Sequence, residues 1–447
     1  MKRIYEVLLI SAGFLIICFV YRGQHRATIN PGWDASYYYS ITEQIQKGTT
    51  PVAGELPFIK RIATPYLIAR ISNITGMNLL DGALAINLLG TFISTLLLLF
   101  WLRIFFKEFW IRVLLCFFFM MAWHVPLRFS FYNPLTTDAW GAAWMMAGLL
   151  ILQLVRKSCA DGRNRAWIGY ILVYSLVVGV AALFRESNAI LCVLPFFVLY
   201  PLGELNIVSA TPPITRGINI LRKTIRTFFN WKTALLLIPV LFVLGATMIL
   251  KKFIVVTDPK NYSYIWTAIS WLYLKTLPEF VLGILIAYGP LILLVPFFYA
   301  KYKPLLRERQ ELWVLLIVSL LLGLIGGSDT ERILFMTGFP VVLILIGISV
   351  SQIFYSTQRW WLYLLLILQS ISFRFFWSLP DYPGVNPHAP IPFFGIAGSH
   401  FKYLNLYSRF SNYYLNCILL LQFLVLFLAT WYVLRNKTVL RKDKSLL

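Results

Sequence analysis

The sequence predicts an all-α, polytopic membrane protein with about twelve transmembrane helices, and three observations carry that reading. The first is composition: the 447 residues are 59% hydrophobic and 17% aromatic, but only 13% charged. No polar segment is long enough to build a soluble core of its own, so that much apolar surface belongs in lipid. The second is the succession of apolar runs of helical length. The third is the placement of basic residues, which gather in short segments between alternate runs. Ten-residue alternating strands, the mark of a transmembrane barrel, are absent.

In chain order the runs are 7–21, 83–106, 113–125, 135–155, 167–183, 189–200, 234–250, 280–299, 312–325, 333–354, 360–376 and 417–434. A short amphipathic piece at 66–74 precedes the second. The N-terminal Met1-Lys2-Arg3 followed by an apolar run resembles a signal peptide. It lacks a small-residue cleavage site, so it reads as a retained first span. With both termini in the cytoplasm, more than half of the 40 Lys and Arg fall in the shorter, cytoplasmic segments, including 163–165, 216–232 and 435–444. That satisfies the positive-inside rule and predicts an integral, multi-pass protein of a bacterial inner or plasma membrane. The chain is one membrane domain, 1–447, with long outer loops at 22–62, 251–278 and 379–416.

The net charge of +22 does not indicate a nucleic-acid partner. No nucleic-acid-binding motif accompanies the basic residues, whose positions suit anionic lipid headgroups. Cys18, Cys116, Cys159, Cys192 and Cys417 are scattered without a C-x-x-C pair, which disfavours a disulfide framework or a zinc site.

The stretch 30–65 is the first polar region after an apolar start, and it holds two motifs. Trp33-Asp34 is followed by Tyr37-Tyr38-Tyr39. This reads either as a catalytic base beside a sugar-stacking aromatic wall or as an interfacial amphipathic helix. Lys60-Arg61 stands just before Pro65, a residue suited to a first helical turn. An anion such as phosphate would gain there from backbone N–H groups and from arginine. Interfacial snorkelling is the alternative. A third motif, Asn133 to Asp138, puts a carboxylate at the start of a span, where it either caps the helix or acts in a site. Two tight turns complete the set, Arg185-Glu186-Ser187 and Asp329-Thr330-Glu331-Arg332. Ionised groups at membrane depth are costly and mark a site or an internal pair. Local Arg185–Glu186 and Asp329–Arg332 pairs are the structural alternative.

Taken together, these motifs resemble the GT-C superfamily of integral membrane glycosyltransferases over about residues 7–354. The resemblance lies in Asp34 in the first outer loop, the Tyr-rich helix after it, the R-I-x-x-P element from Arg61 to Pro65, Asp138, the R-E-S turn and the D-x-x-R turn. It implies transfer of a sugar from a polyprenyl-phosphate donor on the non-cytoplasmic face, with Asp34 as base. Asp138 is then expected as a second catalytic carboxylate, Lys60, Arg61, Arg185 and Arg332 as ligands of the donor phosphate, and Trp33, Tyr37, Tyr38, Glu186 and Asp329 as supporting residues. The sequence carries no nucleotide-binding glycine loop. Some relatives hold a divalent cation on an acidic pair in this loop; Asp34 has no immediate acidic neighbour, so neither metal nor other cofactor is expected. The expected partners are the lipid-linked sugar, membrane lipids and an acceptor that is a glycan, a lipid or a protein. A transporter, a lipid flippase or a non-catalytic scaffold remains open on the sequence alone. The acidic residues cluster at one face and no duplicated halves are visible, in contrast to many transporters.

Overall fold

The computed structural model describes residues 2–22, 34–122, 124–199, 231–258, 263–327, 329–373, 375 and 413–435. In chain order it runs α1 (Lys2–Tyr21), α2 (Asp34–Gln46), β1 (Val52–Gly54), α3 (Ala63–Thr75), α4 (Leu79–Phe105), α5 (Phe109–Met121) and α6 (Pro126–Tyr132). Then come α7 (Asp138–Ala160), α8 (Asn164–Phe184), α9 (Leu194–Leu199), α10 (Trp231–Leu236), α11 (Ile238–Leu250), β2 (Ile254–Val256), α12 (Tyr264–Leu274) and α13 (Leu277–Tyr288). The chain continues through α14 (Tyr299–Glu308), α15 (Gln310–Ile325), α16 (Thr330–Phe354), α17 (Arg359–Ser372) and α18 (Tyr413–Arg435). Short 3-10 turns cover Phe58–Arg61, Glu186–Val193 and Pro290–Phe298.

Among the described residues seven helical stretches are long and apolar enough to cross a membrane, which makes this a multi-pass membrane protein. Three further apolar helices, Glu186–Leu199, Ala234–Leu250 and Gln310–Ile325, are shorter, and α12 and α13 form one apolar pair bent by 101°. The count of about twelve spans is therefore not reproduced by length and composition. The run 280–299 departs most clearly from expectation. Its helix ends at Tyr288 because Gly289 takes a positive φ of 66°, and the following Pro290 begins a 3-10 turn.

Helix α16 runs through the middle of the bundle, buried along nearly its whole length. Phe335 and Phe339 pack there against Phe119 of α5, and the Trp101 indole N–H of α4 donates to the Pro340 carbonyl at 2.9 Å. Two sets of ion pairs mark opposite ends of the bundle. At one end Glu6 is held by Arg103 (2.8 Å) and Arg112 (2.6 Å), and Arg156 by Glu311 (2.8 Å). At the other end, where α7 and α16 begin and α8 stops, lie Asp138, Arg185 and Arg332.

One feature of the two polar segments has no signature in the sequence. β1 and β2 form a two-stranded parallel sheet with Val52 opposite Ile254, tying the first long loop to 251–278. Gln44 of α2 clamps β1 from the other side, donating to the Ala53 carbonyl at 2.9 Å and accepting from its N–H at 2.8 Å. The loop 379–412, the segment 216–230 and the tail 436–444 lie outside the described residues.

The distribution of basic residues predicts that the Asp34 end faces outward, and labelling tests that expectation. In a background without native cysteines, Lys47→Cys should react with an impermeant thiol reagent and Arg163→Cys should not. Both side chains are well exposed. Labelling of Arg163→Cys alone would invert the assigned orientation.

Candidate functional site

Helix α2 starts at Asp34, which puts a carboxylate at the electropositive end of the helix. The Tyr-rich face behind it packs inward: Tyr38 is buried, and Tyr37 stacks on Phe58 with ring centroids 4.5 Å apart. Phe58–Arg61 form the 3-10 turn that delivers Lys60 and Arg61, and Pro65 sits in the first turn of α3 as expected. Arg61 reaches Glu186 through two contacts, Nε to Oε2 at 2.6 Å and Nη2 to Oε1 at 2.5 Å, and donates from Nη1 to the Tyr38 hydroxyl at 3.0 Å. Burial works against both charged forms, but mutual attraction wins: Arg61 is held well above its usual pKa and Glu186 below its own. Lys60 turns away, its Nζ 4.5 Å from the centre of the Tyr264 ring.

Asp138 does not act as a helix cap. It is the first residue of α7, and Thr137 at the N-cap makes no side-chain cap bond. The carboxylate instead lies between two arginines. Oδ2 meets Arg332 Nε at 2.6 Å, and Oδ1 contacts Arg185 Nη1 directly. Asn87 holds the approach to this turn, donating to the carbonyls of Pro134 (2.6 Å) and Thr136 (2.8 Å). Arg185 lies flat over Gly141, one turn beyond Asp138; a Cβ there would stand 3.2 Å from the arginine's own side-chain carbons. Asn188 fixes the turn that carries Arg185 by donating to the Gly141 carbonyl at 3.0 Å. Burial, with Arg61 and Arg332 nearby, pushes the pKa of Arg185 down to about 9, and the Asp138 carboxylate against it favours the charged form.

Arg332 is the hub. Besides Asp138 it meets Asp329 at 3.2 Å and Asp34 Oδ2 at 3.9 Å, both through Nη1, and its guanidinium lies over the Phe129 ring at 4.9 Å. These pairs use Nε and Nη1, two of the three nitrogens that carry the five N–H donors of a guanidinium. The Asp34 side chain is 41% exposed. Protein atoms crowd its carboxyl even so, and the loss of solvation raises its pKa above 3.8; Arg332 pulls it back and Asp329 pushes it further up.

The structure thus gathers Asp34, Tyr38, Arg61, Asp138, Arg185, Glu186, Asp329 and Arg332 at one end of the bundle, with Tyr37 and Lys60 at its edge. Trp33 lies outside the described residues. Of the two local pairs offered as the structural alternative, Asp329–Arg332 forms at 3.2 Å and Arg185–Glu186 does not. Arg185 pairs with Asp138 rather than with its neighbour Glu186, because the extended backbone at Arg185 (φ −157°, ψ 121°) ends α8 there. Asp138 is 1% exposed and engaged on both oxygens, so it faces guanidinium groups rather than an incoming acceptor. Asn87, Asn188 and Gly141 support the site and were not singled out in the sequence, since a lone polar residue or glycine inside an apolar run has no distinguishing pattern. Among the described residues no group of three or more His, Cys, Asp or Glu gathers to hold a metal ion.

No family model and no curated protein matches the chain. Among solved structures it is similar to ArnT from Cupriavidus metallidurans bound to undecaprenyl phosphate. That match has 14% identity and a TM-score of 0.49, and covers 77% of this chain and 60% of that one. The likeness is partial. The Archaeoglobus fulgidus oligosaccharyltransferase in the apo form is similar at 13% identity and a TM-score of 0.46, covering 80% of this chain and 52% of that one. The archaeal oligosaccharyltransferase AglB from Archaeoglobus fulgidus, in complex with an inhibitory peptide and a dolichol-phosphate, is similar at 13% identity and a TM-score of 0.47, with 82% and 52% covered. The chain therefore spans about 60% of the first structure and about half of the other two.

Proposed function

We propose that the chain is a membrane glycosyltransferase that moves a sugar from a polyprenyl-phosphate donor to an acceptor hydroxyl on the non-cytoplasmic face, with inversion. The observation that carries this reading is the pairing of Asp34 with the arginine hub. A partly exposed carboxyl of raised pKa stands 3.9 Å from Arg332, which is coupled to Arg185 through Asp138 at one end of an apolar bundle. A carboxylate of raised basicity suits proton abstraction, and forked cations suit a phosphate leaving group.

In the reaction the acceptor oxygen forms a bond to the anomeric carbon as its proton passes to Asp34. The bond from that carbon to the phosphate oxygen breaks, and its electron pair leaves with polyprenyl phosphate. Arg185 and Arg332 stabilise the charge that develops there, which needs no metal. Arg61 serves as a secondary cation, because Glu186 engages it at two points. Asp138 is a positioning residue that holds the two arginines side by side, one on each carboxylate oxygen. A flippase or transporter fits less well, because these charged groups meet at one end of the bundle rather than midway along its helices.

The test is an assay with the full chain in detergent, offered a pool of polyprenyl-phosphate sugars and candidate acceptors. Release of polyprenyl phosphate coupled to a new glycosidic bond supports the reading. Lipid movement between leaflets without bond formation would replace it with transport.

A further inference from the structure

We infer that Lys275 is a positioning residue that holds the turn carrying Asp329 and Arg332 in register with Asp34 and Asp138; its mechanistic part rests on the transferase reading above. Lys275 lies in the corner between α12 and α13, where the chain bends by 101°. The lysine is 7% exposed, and its Nζ donates to the carbonyls of Gly323 (2.7 Å) and Gly327 (2.9 Å). Those carbonyls belong to the last turn of α15 and the link that follows it, immediately before Asp329. The end of a helix leaves carbonyls without backbone partners and carries negative potential, so a buried ammonium satisfies both needs. Gly327 has a φ of 148°, a backbone conformation that glycine adopts without a Cβ clash.

The corner that supplies the lysine is itself fixed. Thr276 and Glu279 form a capping box at the start of α13, with Glu279 accepting from the Thr276 N–H at 2.9 Å. About one turn beyond Glu279, Gly283 admits Thr330, the first residue of α16; a Cβ at Gly283 would stand 2.7 Å from the Thr330 side chain. The α15–α16 turn is thus held at two points by one rigid element, by charge at Lys275 and by close packing at Gly283. Arg332 lies within one helical turn of Thr330, so its reach to Asp138 and Asp34 depends on where this turn is held. A neutral side chain at 275 would release the first point and leave buried carbonyls unpaired.

The experiment uses the full chain in detergent with Lys275→Met, Lys275→Arg and, should Lys275→Met not fold, Lys275→Gln. Backbone hydrogen exchange over residues 322–335 is read first, without ligand. The neutral variant should exchange there about tenfold faster while α4 and α7 stay unchanged, and Lys275→Arg should restore most of the protection. Binding of undecaprenyl phosphate is read second. The neutral variant should bind about tenfold more weakly, Lys275→Arg should recover it, and adding the change to Arg332→Gln should cost nothing further. Unchanged exchange over 322–335, or full additivity with Arg332→Gln, overturns the inference. If the unaltered chain does not bind the lipid phosphate, the transferase reading fails, and the exchange experiment still decides the role of Lys275 in holding the turn.

Discussion

Replacing Asp34 with asparagine is expected to lower turnover by about 10²–10⁴-fold while leaving folding and donor binding in place. The change keeps the size and shape of the side chain and a residue suited to a helix start. It removes only the group that can take a proton. The carboxyl is partly open to solvent, so its contribution to stability is small. The unaltered protein should show the same chemistry in the pH profile of the proposed reaction. A base works only when deprotonated, so the rate should fall as the pH drops through the pKa of Asp34. Burial raises that pKa, and the fall should begin above the ordinary carboxylate range. Product stereochemistry supplies an independent check. Asp329 approaches the same Arg332 nitrogen as Asp34, so a second carboxylate is close, but it is engaged by that guanidinium at 3.2 Å and is a poor nucleophile. A single displacement then inverts the anomeric centre, whereas a double displacement through a carboxylate would retain it. Full activity in Asp34→Asn, or a retained configuration, would sink this mechanism.

Arg332→Gln is expected to be nearly as damaging, for two separable reasons. It removes a forked donor from the leaving phosphate, which should cost about 2–4 kcal/mol of transition-state stabilisation. It also removes the cation that draws down the pKa of Asp34, so the acid limb of the pH profile should move upward in the variant. Arg332→Lys keeps the charge but loses the planar fork that meets Asp138 and Asp329 together, and it should recover only part of the activity. Asp138→Asn should be milder than Asp34→Asn in turnover but worse in stability. It leaves two buried guanidinium groups with reduced compensation, and breaking such pairs costs about 3–5 kcal/mol. Unaltered kinetics and an unmoved acid limb in Arg332→Gln would show that the guanidinium touches neither the phosphate nor Asp34.

Much of this candidate site is legible in the sequence, because an ionised residue that interrupts an apolar run stands out. Asp138, Arg185, Glu186, Asp329 and Arg332 were found that way. The local Asp329–Arg332 pair was legible too, but the distant partners were not. Neighbouring residues suggested an Arg185–Glu186 pair, whereas the chain pairs Arg61 with Glu186 and Asp138 with Arg332 across 125 and 194 positions. Local pattern carries no information about contacts of that span. Lys275 escaped notice for the opposite reason: in sequence it is one more basic residue near a membrane boundary. The main helices followed from hydropathy alone. The break after Tyr288 and the three-residue strands did not, since one depends on the backbone of Gly289 and the others on a distant partner.

The distance along the chain between Asp138 and Arg332 bears on how the protein is made. Translation delivers the helix carrying Asp138 to the membrane long before the helix carrying Arg332 has been synthesised. For that interval the carboxylate has at most Arg185 as a partner. Its position at the first residue of its helix lets it wait at the wet border of the bilayer, hydrated, where a midplane carboxylate would oppose insertion. Arg185 and Arg332 stand at corresponding helix ends and arrive at the same border in turn. The site can therefore be assembled in the order of synthesis, each charge meeting its counterpart at a depth where water has so far screened both.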